Sequence, residues 1–266
     1  MVSRTGSGRA FTERWVEADG FDIRYWEAGE GPALSCFHGA GGLQLSRSHE
    51  LLAETHRVMA FELPGFGNSP ENVRSGSLRE MARTMALAIG AIGLTTTRLW
   101  GTSFGGKLAL WLAVDAPGLV ETLVLASPAA IRDARPRPEG PALFRALYAH
   151  PERLPEEPPL EAAVIAKQQA LTARLIGPPR EAELEAAMAT LDVPVLVLFG
   201  TEDQMTPPEL GRQYRALLPD AHLVFVYDAA HAIDRDRPEA FAATVSDFLA
   251  RQAQFVVRQE SGLRYP

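Results

Sequence analysis

Apolar positions fall in short continuous runs separated by longer amphipathic stretches. The runs are Ala33 to Phe37 (ALSCF), Val58 to Leu63 (VMAFEL), Thr97 to Gly101 (TRLWG), Val120 to Ala126 (VETLVLA), Val193 to Phe199 (VPVLVLF) and His222 to Tyr227 (HLVFVY). Runs without strict alternation suit strands buried on both faces, as in a parallel sheet covered by helices. Phe21 to Glu27 (FDIRYWE) follows an Asp19-Gly20 turn signal, which predicts a hairpin with Arg14 to Ala18. Four intervening stretches read as helices. Leu78 to Ile92 ends near Gly93, Phe104 to Ala116 stops before Pro117, and Glu209 to Leu218 stops at Pro219. Pro238 to Ala253 opens with a proline at a favourable first helical position. The alternation predicts an α/β fold: a mostly parallel central sheet flanked by helices, with right-handed crossovers.

The alternation breaks once. From Ala129 to Asp192 there is no strand candidate. This stretch opens with IRDARPRPEGP, carries a second proline cluster (PERLPEEPP), and reads helical at Ala142 to His150, Leu160 to Ile176 and Glu181 to Leu191. It divides the chain into a core, 1–128 and 193–266, and a helical insertion, 129–192. An insertion there is expected to act as a cap over the sheet edge where ligands bind. The plainer reading is a set of helices extending the sheet's outer layer. No repeat of 20–50 residues is visible, which argues against solenoids and propellers. Beyond Gln252 an apolar patch (Phe255, Val256, Val257) either docks or frays.

Composition narrows the class. A chain of 266 residues suits one large domain or one domain with an insertion, and 46% hydrophobic with 22% charged residues is not a disordered composition. The lone Cys36 excludes an internal disulfide and a multi-cysteine metal site. A net charge of −7 offers no basic field for a nucleic-acid backbone. Lysine occurs only at Lys107 and Lys167, as GC-rich bacterial coding would give. No apolar run reaches the roughly 18 residues needed to span a bilayer. Met1 to Trp15 lacks the apolar segment of a secretory signal. The expectation is a soluble, cytoplasmic protein, and the sequence leaves homo-oligomer formation open. HExxH, CxxC, GxGxxG and P-loop spacings are missing, so no metal, nucleotide or other cofactor is expected.

The chemical signal is Gly101-Thr102-Ser103-Phe104-Gly105-Gly106, lying between an apolar strand and a helix. A sharp strand-to-helix turn needs small residues two before and two after the serine, and it projects the hydroxyl outward. Helix-terminal N–H groups then point at the same place and favour developing negative charge. Four more motifs stand in order along the chain. They are HGAGG at His38 to Gly42, ELPGFGNSP at Glu62 to Pro70, FGTEDQMTP at Phe199 to Pro207, and AAHAIDRDRPEAF at Ala229 to Phe241. With these the chain resembles the α/β-hydrolase fold superfamily, in its small, cap-bearing serine hydrolase form, over roughly residues 15 to 253.

The resemblance implies a catalytic Ser103–His231–Asp203 set. A serine hydroxyl needs a base to take its proton. His231 follows a strand and precedes a helix, whereas His38 is structural in this family and His49, His56, His150 and His222 read as helix, loop or strand-edge residues. Asp203 follows the strand VPVLVLFG and lies between serine and histidine in the chain, as expected. Glu202 is its rival by adjacency and Asp228 by proximity to His231, while Asp220 and Asp234 read as surface turn or helix-approach residues. The oxyanion formed during acyl transfer needs donors held in advance. The resemblance assigns them to the amides of Phe104 and Ala40, with Gly41 as the second choice.

The expected reaction is hydrolysis of a small-molecule carboxylic ester through an acyl-serine. Rivals are C–C-bond, lactone, thioester or amide hydrolysis, or a binding protein without turnover. HG is followed by Ala-Gly-Gly rather than the Gly-x-Pro-Gly pattern of C–C-bond hydrolases, which lowers that reading. A serine rather than an aspartate at the elbow argues against haloalkane dehalogenases and epoxide hydrolases. Phe66, Phe104 and Met205 are substrate-pocket candidates beside the motifs. Phe144 and Tyr148, spaced i and i+4, share one helix face and either line the pocket roof or hold the cap down. The charges at Arg132–Arg137 and Glu181–Glu185 read as solvated faces.

Overall fold

The structure, a computed structural model, describes residues 10–133, 135–136, 138–155, 159–252 and 255. The apolar runs become the strands of one eight-stranded sheet. β1 (Thr12–Ala18) and β2 (Phe21–Ala28) form the predicted hairpin, and Asp19 and Gly20 take positive φ of 52° and 72° at its turn. Positive φ at both central residues gives the turn the twist that hairpin strands require. The other strands are β3 (Ala33–Phe37), β4 (Arg57–Phe61), β5 (Thr97–Thr102), β6 (Val120–Ala126), β7 (Val195–Gly200) and β8 (Ala221–Val226).

The sheet order is β1-β2-β4-β3-β5-β6-β7-β8. Only the β1–β2 and β2–β4 pairs are antiparallel. From β3 the chain runs outward to β4 and then crosses back to β5, on β3's other side. Connections therefore leave the sheet in opposite directions at the carboxyl ends of β3 and β5. Such a switch point opens a crevice suited to ligands.

Nine helices flank the sheet among the described residues: α1 (Arg47–Leu52), α2 (Leu78–Ala91), α3 (Phe104–Asp115), α4 (Gly140–Leu147), α5 (Ala162–Leu175), α6 (Ala182–Met188), α7 (Gly211–Leu217), α8 (Ile233–Asp236) and α9 (Pro238–Arg251). Successive side chains of each central strand feed opposite layers. Val195, Val197 and Phe199 of β7 join the apolar cluster shared with α2, α3 and α7, while Leu196 and Leu198 join that of α1 and α9. Burial on both faces is why these strands read as unbroken apolar runs.

Boundaries differ from the sequence reading where backbone chemistry intervenes. β7 starts at Val195 rather than Val193, since Pro194 has no N–H and contributes only its carbonyl, to Leu123. The helix expected over Glu209–Leu218 divides into a 3₁₀ turn, Pro208–Leu210, and α7. The short helices α1 and α8 were not anticipated; six and four residues are too few to show a period. Phe255 is buried against Phe248 and His222, so this part of the tail docks. Val256 and Val257 lie outside the described residues.

Between β6 and β7 the described residues contain α4, a 3₁₀ turn at Pro151–Arg153, α5 and α6, and no strand. Leu171, Leu175, Ile176, Leu184 and Met188 of this stretch belong to the same apolar cluster as α2 and α3. Its entry is pinned by Tyr214, whose buried hydroxyl accepts from Ile131 N–H (2.6 Å) and donates to the Pro128 carbonyl (2.8 Å). Burial pushes that phenol above its ordinary range. No described helix is long and apolar enough to cross a membrane.

Tyr214→Phe removes one oxygen and strands a buried N–H and a buried carbonyl. Such a loss costs about 1–3 kcal/mol. Urea unfolding should show a drop of that size with an unchanged m-value.

Candidate active site

The turn from β5 into α3 is set by close backbone approach. A Cβ on Gly101 would lie 2.4 Å from the Gly105 carbonyl oxygen, and one on Gly105 would lie 2.5 Å from the carbonyl oxygens of Phe37 and His38. Only glycines let the start of α3 sit on β5 and against the end of β3. Ser103, squeezed between them, adopts φ 52° and ψ −111°. A non-glycine residue in such a region carries strain of order 1–3 kcal/mol. Four hydrogen bonds hold it there. Ser103 N–H donates to Ala126 O (2.9 Å), and its carbonyl accepts from Ala129, Gly106 and Lys107 (2.9, 3.0 and 3.2 Å).

The carboxyl ends of β7 and β8 carry the other two groups. Asp203 follows β7, and its side chain is fully buried. One of its oxygens accepts from the Met205 and Thr206 amides, both at 2.8 Å. The other lies 2.9 Å from Nδ1 of His231, on the loop after β8. A carboxylate so anchored fixes the imidazole's orientation and leaves Nε2 as the ring's other nitrogen.

The remaining acids go elsewhere. Glu202 is exposed. Asp228 binds His150 Nε2 (2.7 Å) and Arg237 (2.9 Å) instead of His231. Asp220 is exposed, as expected, but Asp234 is buried, and burial raises its carboxyl pKa. That corrects its reading as a surface residue. α8 turns Asp234 inward, and its carbonyl accepts from Ser48 Oγ–H (2.7 Å).

Two histidines are neutral structural clamps. His38 Nε2 accepts from Leu63 N–H (3.0 Å), so Nδ1 carries the proton and donates to Gly39 O (2.7 Å). Burial lowers its pKa to about 4. His49 Nδ1 accepts from Ser46 N–H (3.1 Å) at the start of α1, its ring lies on Trp100, and burial lowers it to about 3.

The loop after β3 faces Ser103; a Cβ on Gly39 would lie 3.4 Å from that of Ser103. The Gly39 carbonyl also accepts from Gly42 N–H (3.2 Å). A peptide's C=O and N–H point opposite ways, so fixing Gly39 O aims the Ala40 N–H away from His38. Among the described residues neither that amide nor Phe104 N–H has a protein acceptor. Phe104 N–H is the first of α3's unpaired amides.

The pocket candidates are dispersed. Phe66 and Phe104 are fully buried and in ring contact at 5.6 Å, and Phe66 also stands edge-on to His38. Met205 is half-buried beside Asp203. Phe144 and Tyr148 do not share a helix face: α4 ends at Leu147 and Tyr148 is already extended, although the two rings still meet at 5.1 Å and Phe144 is half exposed. The charged stretches are only partly solvated. Glu181 pairs with the buried Lys107 (2.7 Å), Glu183 meets Arg79, and Arg132 donates to Gly177 O.

The family model described as "Alpha/beta hydrolase family" matches residues 36–244, which include every residue above. The chain belongs to the alpha/beta hydrolase family. A curated relative, the pimeloyl-[acyl-carrier protein] methyl ester esterase of Neisseria meningitidis serogroup B / serotype 15 (strain H44/76), is 33% identical over 74% of this chain and 84% of its own length. A 2-hydroxy-6-oxononadienedioate/2-hydroxy-6-oxononatrienedioate hydrolase of Pseudomonas sp is 24% identical over 94% of this chain and 99% of its own. Among solved structures, a bacterial membrane phospholipase A superposes with a TM-score of 0.74 at 25% identity, covering 90% of this chain and 86% of that one. This alpha/beta hydrolase is thus similar to enzymes named as hydrolases and esterases.

Some residues around the site were not singled out in the sequence. Asp236 accepts from Ala230 N–H (2.8 Å), next to His231, and from Ala149 and His150 N–H (3.0 and 3.3 Å). Glu62 accepts from Ser69 N–H and Oγ–H (3.2 and 2.7 Å) and pairs with Arg24 (2.7 Å). Both stand inside motifs quoted above, but an acid that holds a loop has no signature of its own.

The buried neutral histidines make stability depend on pH. A histidine whose pKa is depressed in the fold binds its proton more readily when unfolded, so its contribution is lost as pH falls below about 6.5. For His49 the loss between pH 7 and pH 5 is about 2 kcal/mol. In urea melts at these two pH values, His49→Gln should show a pH-dependent loss smaller than wild type's by that amount.

Proposed function

We propose that this alpha/beta hydrolase cleaves a small-molecule carboxylic ester through an acyl-serine intermediate. Ser103 is the nucleophile, His231 the general base and acid, and Asp203 the group that orients and stabilises the imidazolium. The Asp203–His231 contact of 2.9 Å, with the second carboxylate oxygen anchored by two amides, carries this reading. It ends at the same sheet edge as the strained Ser103 turn.

His231 Nε2 takes the Ser103 proton as Oγ attacks the ester carbonyl. The carbonyl oxygen becomes an anion, held by the Ala40 and Phe104 amides. Collapse expels the alcohol, which receives the proton from His231. Water then attacks the acyl-serine with His231 as base again, releasing acid and free Ser103. His231 does not pass its proton on to Asp203 in either half-reaction. No metal or organic cofactor enters any step. Residues 129–192 act as the cap over this site, in keeping with their helices and their place between β6 and β7. The methyl ester named for the Neisseria relative favours an oxygen ester over the C–C bond.

A fluorophosphonate should label the wild type at Ser103 and leave Ser103→Ala unlabelled. Ester turnover by Ser103→Ala and Asp203→Asn should fall about 10³-fold or more, with unfolding curves close to wild type. Near-normal turnover by Ser103→Ala would sink the assignment. A substrate panel of short and long acyl esters, thioesters, lactones and vinylogous diketo acids then ranks the leaving groups. Faster turnover of the diketo acids would replace ester by C–C-bond hydrolysis.

A further inference from the structure

α5, in the segment between β6 and β7, reaches back into the loop that faces Ser103. Gln168 of α5 is 96% buried and uses both ends of its amide. Its Oε1 accepts from Gly67 N–H (2.8 Å), in the loop after β4, and its Nε2 donates to Gly41 O (3.2 Å), in the loop after β3. This is the one amide orientation that satisfies both partners. Gly42 has φ +89°, and a Cβ there would lie 2.8 Å from Gln168 Oε1, so the side chain rests directly on the loop backbone.

The contact continues through two peptide planes. Gly41 C=O and Gly42 N–H are opposite ends of one rigid unit. Gln168 grips its carbonyl, and its N–H donates to Gly39 O (3.2 Å). Gly39 C=O and Ala40 N–H are the ends of the next unit. The train therefore runs from Gln168 to peptide 41–42, then to peptide 39–40, and ends on the Ala40 amide. Chained hydrogen bonds also polarise one another, so each donor in the train strengthens the last. His38 holds the same Gly39 carbonyl from the core side. Gln168 is its counterpart from the inserted helices.

We propose that Gln168 is a positioning residue for the Ala40 amide, so that anion stabilisation during ester hydrolysis depends on α5 being seated. This rests on the ester-hydrolase reading above. Lys167, the next residue on α5, supplies a control: it donates to the carbonyls of Gly67 and Ser69 and does not touch the loop of Gly41.

The test compares an ester with its thionoester, in which sulfur replaces the carbonyl oxygen and accepts hydrogen bonds poorly. Removing a whole oxyanion donor costs about 10²–10³ in kcat. Loosening one should cost about tenfold for the ester with KM within about twofold. The thionoester should lose less, so the ester-to-thionoester kcat ratio narrows. Gln168→Met removes both hydrogen bonds. Gln168→Glu keeps the acceptor for Gly67 and sets a carboxylate against Gly41 O, which gives a second variant if the first does not fold. Lys167→Met should leave the ratio at its wild-type value. Unchanged kcat in the Gln168 variants, or equal loss on both substrates, overturns the proposal. Wild type that resists fluorophosphonate and hydrolyses no ester is a separate result, which removes the hydrolase reading and this inference with it.

Discussion

Everything in the candidate site depends on how closely three backbones approach where β3, β5 and α3 meet. With glycine at 101 and 105 the helix starts in contact with two strand ends, and no side chain larger than hydrogen fits between. That contact dictates the positive φ of Ser103 and the distance to the loop of Gly39. The strain at Ser103 is local and is offset by hydrogen bonds to β6 and to the segment following it. A serine presented this way does not rely on its own side-chain packing for direction. The fold holds it by the backbone.

The loops around the serine are held by buried polar side chains rather than by regular structure. His38 ties the end of β3 to the loop after β4, Glu62 closes that loop on Ser69, and Asp236 gathers the Ala230 amide beside His231 with the Ala149 and His150 amides after α4. Ala232 N–H adds a bond to Leu147 O. Surface loops usually leave their amides to water and move accordingly. Here buried acceptors take those amides, so the groups proposed for catalysis start in place. A preorganised site avoids the reorganisation cost at the moment charge develops.

The central strands were legible because they are buried on both faces, which leaves continuous apolar runs, while the more exposed β1–β2 hairpin was legible from its Asp19-Gly20 turn. The positions of Ser103, Asp203 and His231 were legible because each follows a strand and stands in a recognisable motif. What escaped was short or long-range. α1 and α8 have too few residues to show a helical period, so Asp234 looked exposed until α8 turned it inward. Gln168 lies 127 residues from the Gly41 carbonyl it holds, and an amphipathic helix gives no sign of which polar residue reaches back. Lys107 is buried and bound to Ile176 O and Glu181. A buried charge is retained only with such partners, and those partners were invisible before the chain was folded.

The inserted segment is fastened unevenly, and this bears on where substrate preference can vary. α5 and the residues after it are bonded to the core through Lys167, Gln168, Arg174 and Lys107, each to a backbone carbonyl of another segment. Of these, Gln168 alone bonds the loop that faces Ser103. α4 is tied mainly at its C-terminal end, through Leu147 and the amides of Ala149 and His150, and of its residues only Ala146 is buried. Its Phe144, in ring contact with Tyr148 just past the helix end, is half exposed. Substitution of exposed side chains away from such ties usually alters stability by less than about 0.5 kcal/mol. The molecule thus keeps the part that can be reshaped, α4, apart from α5, the helix proposed to orient the Ala40 amide. One family can therefore carry different substrates on the same core.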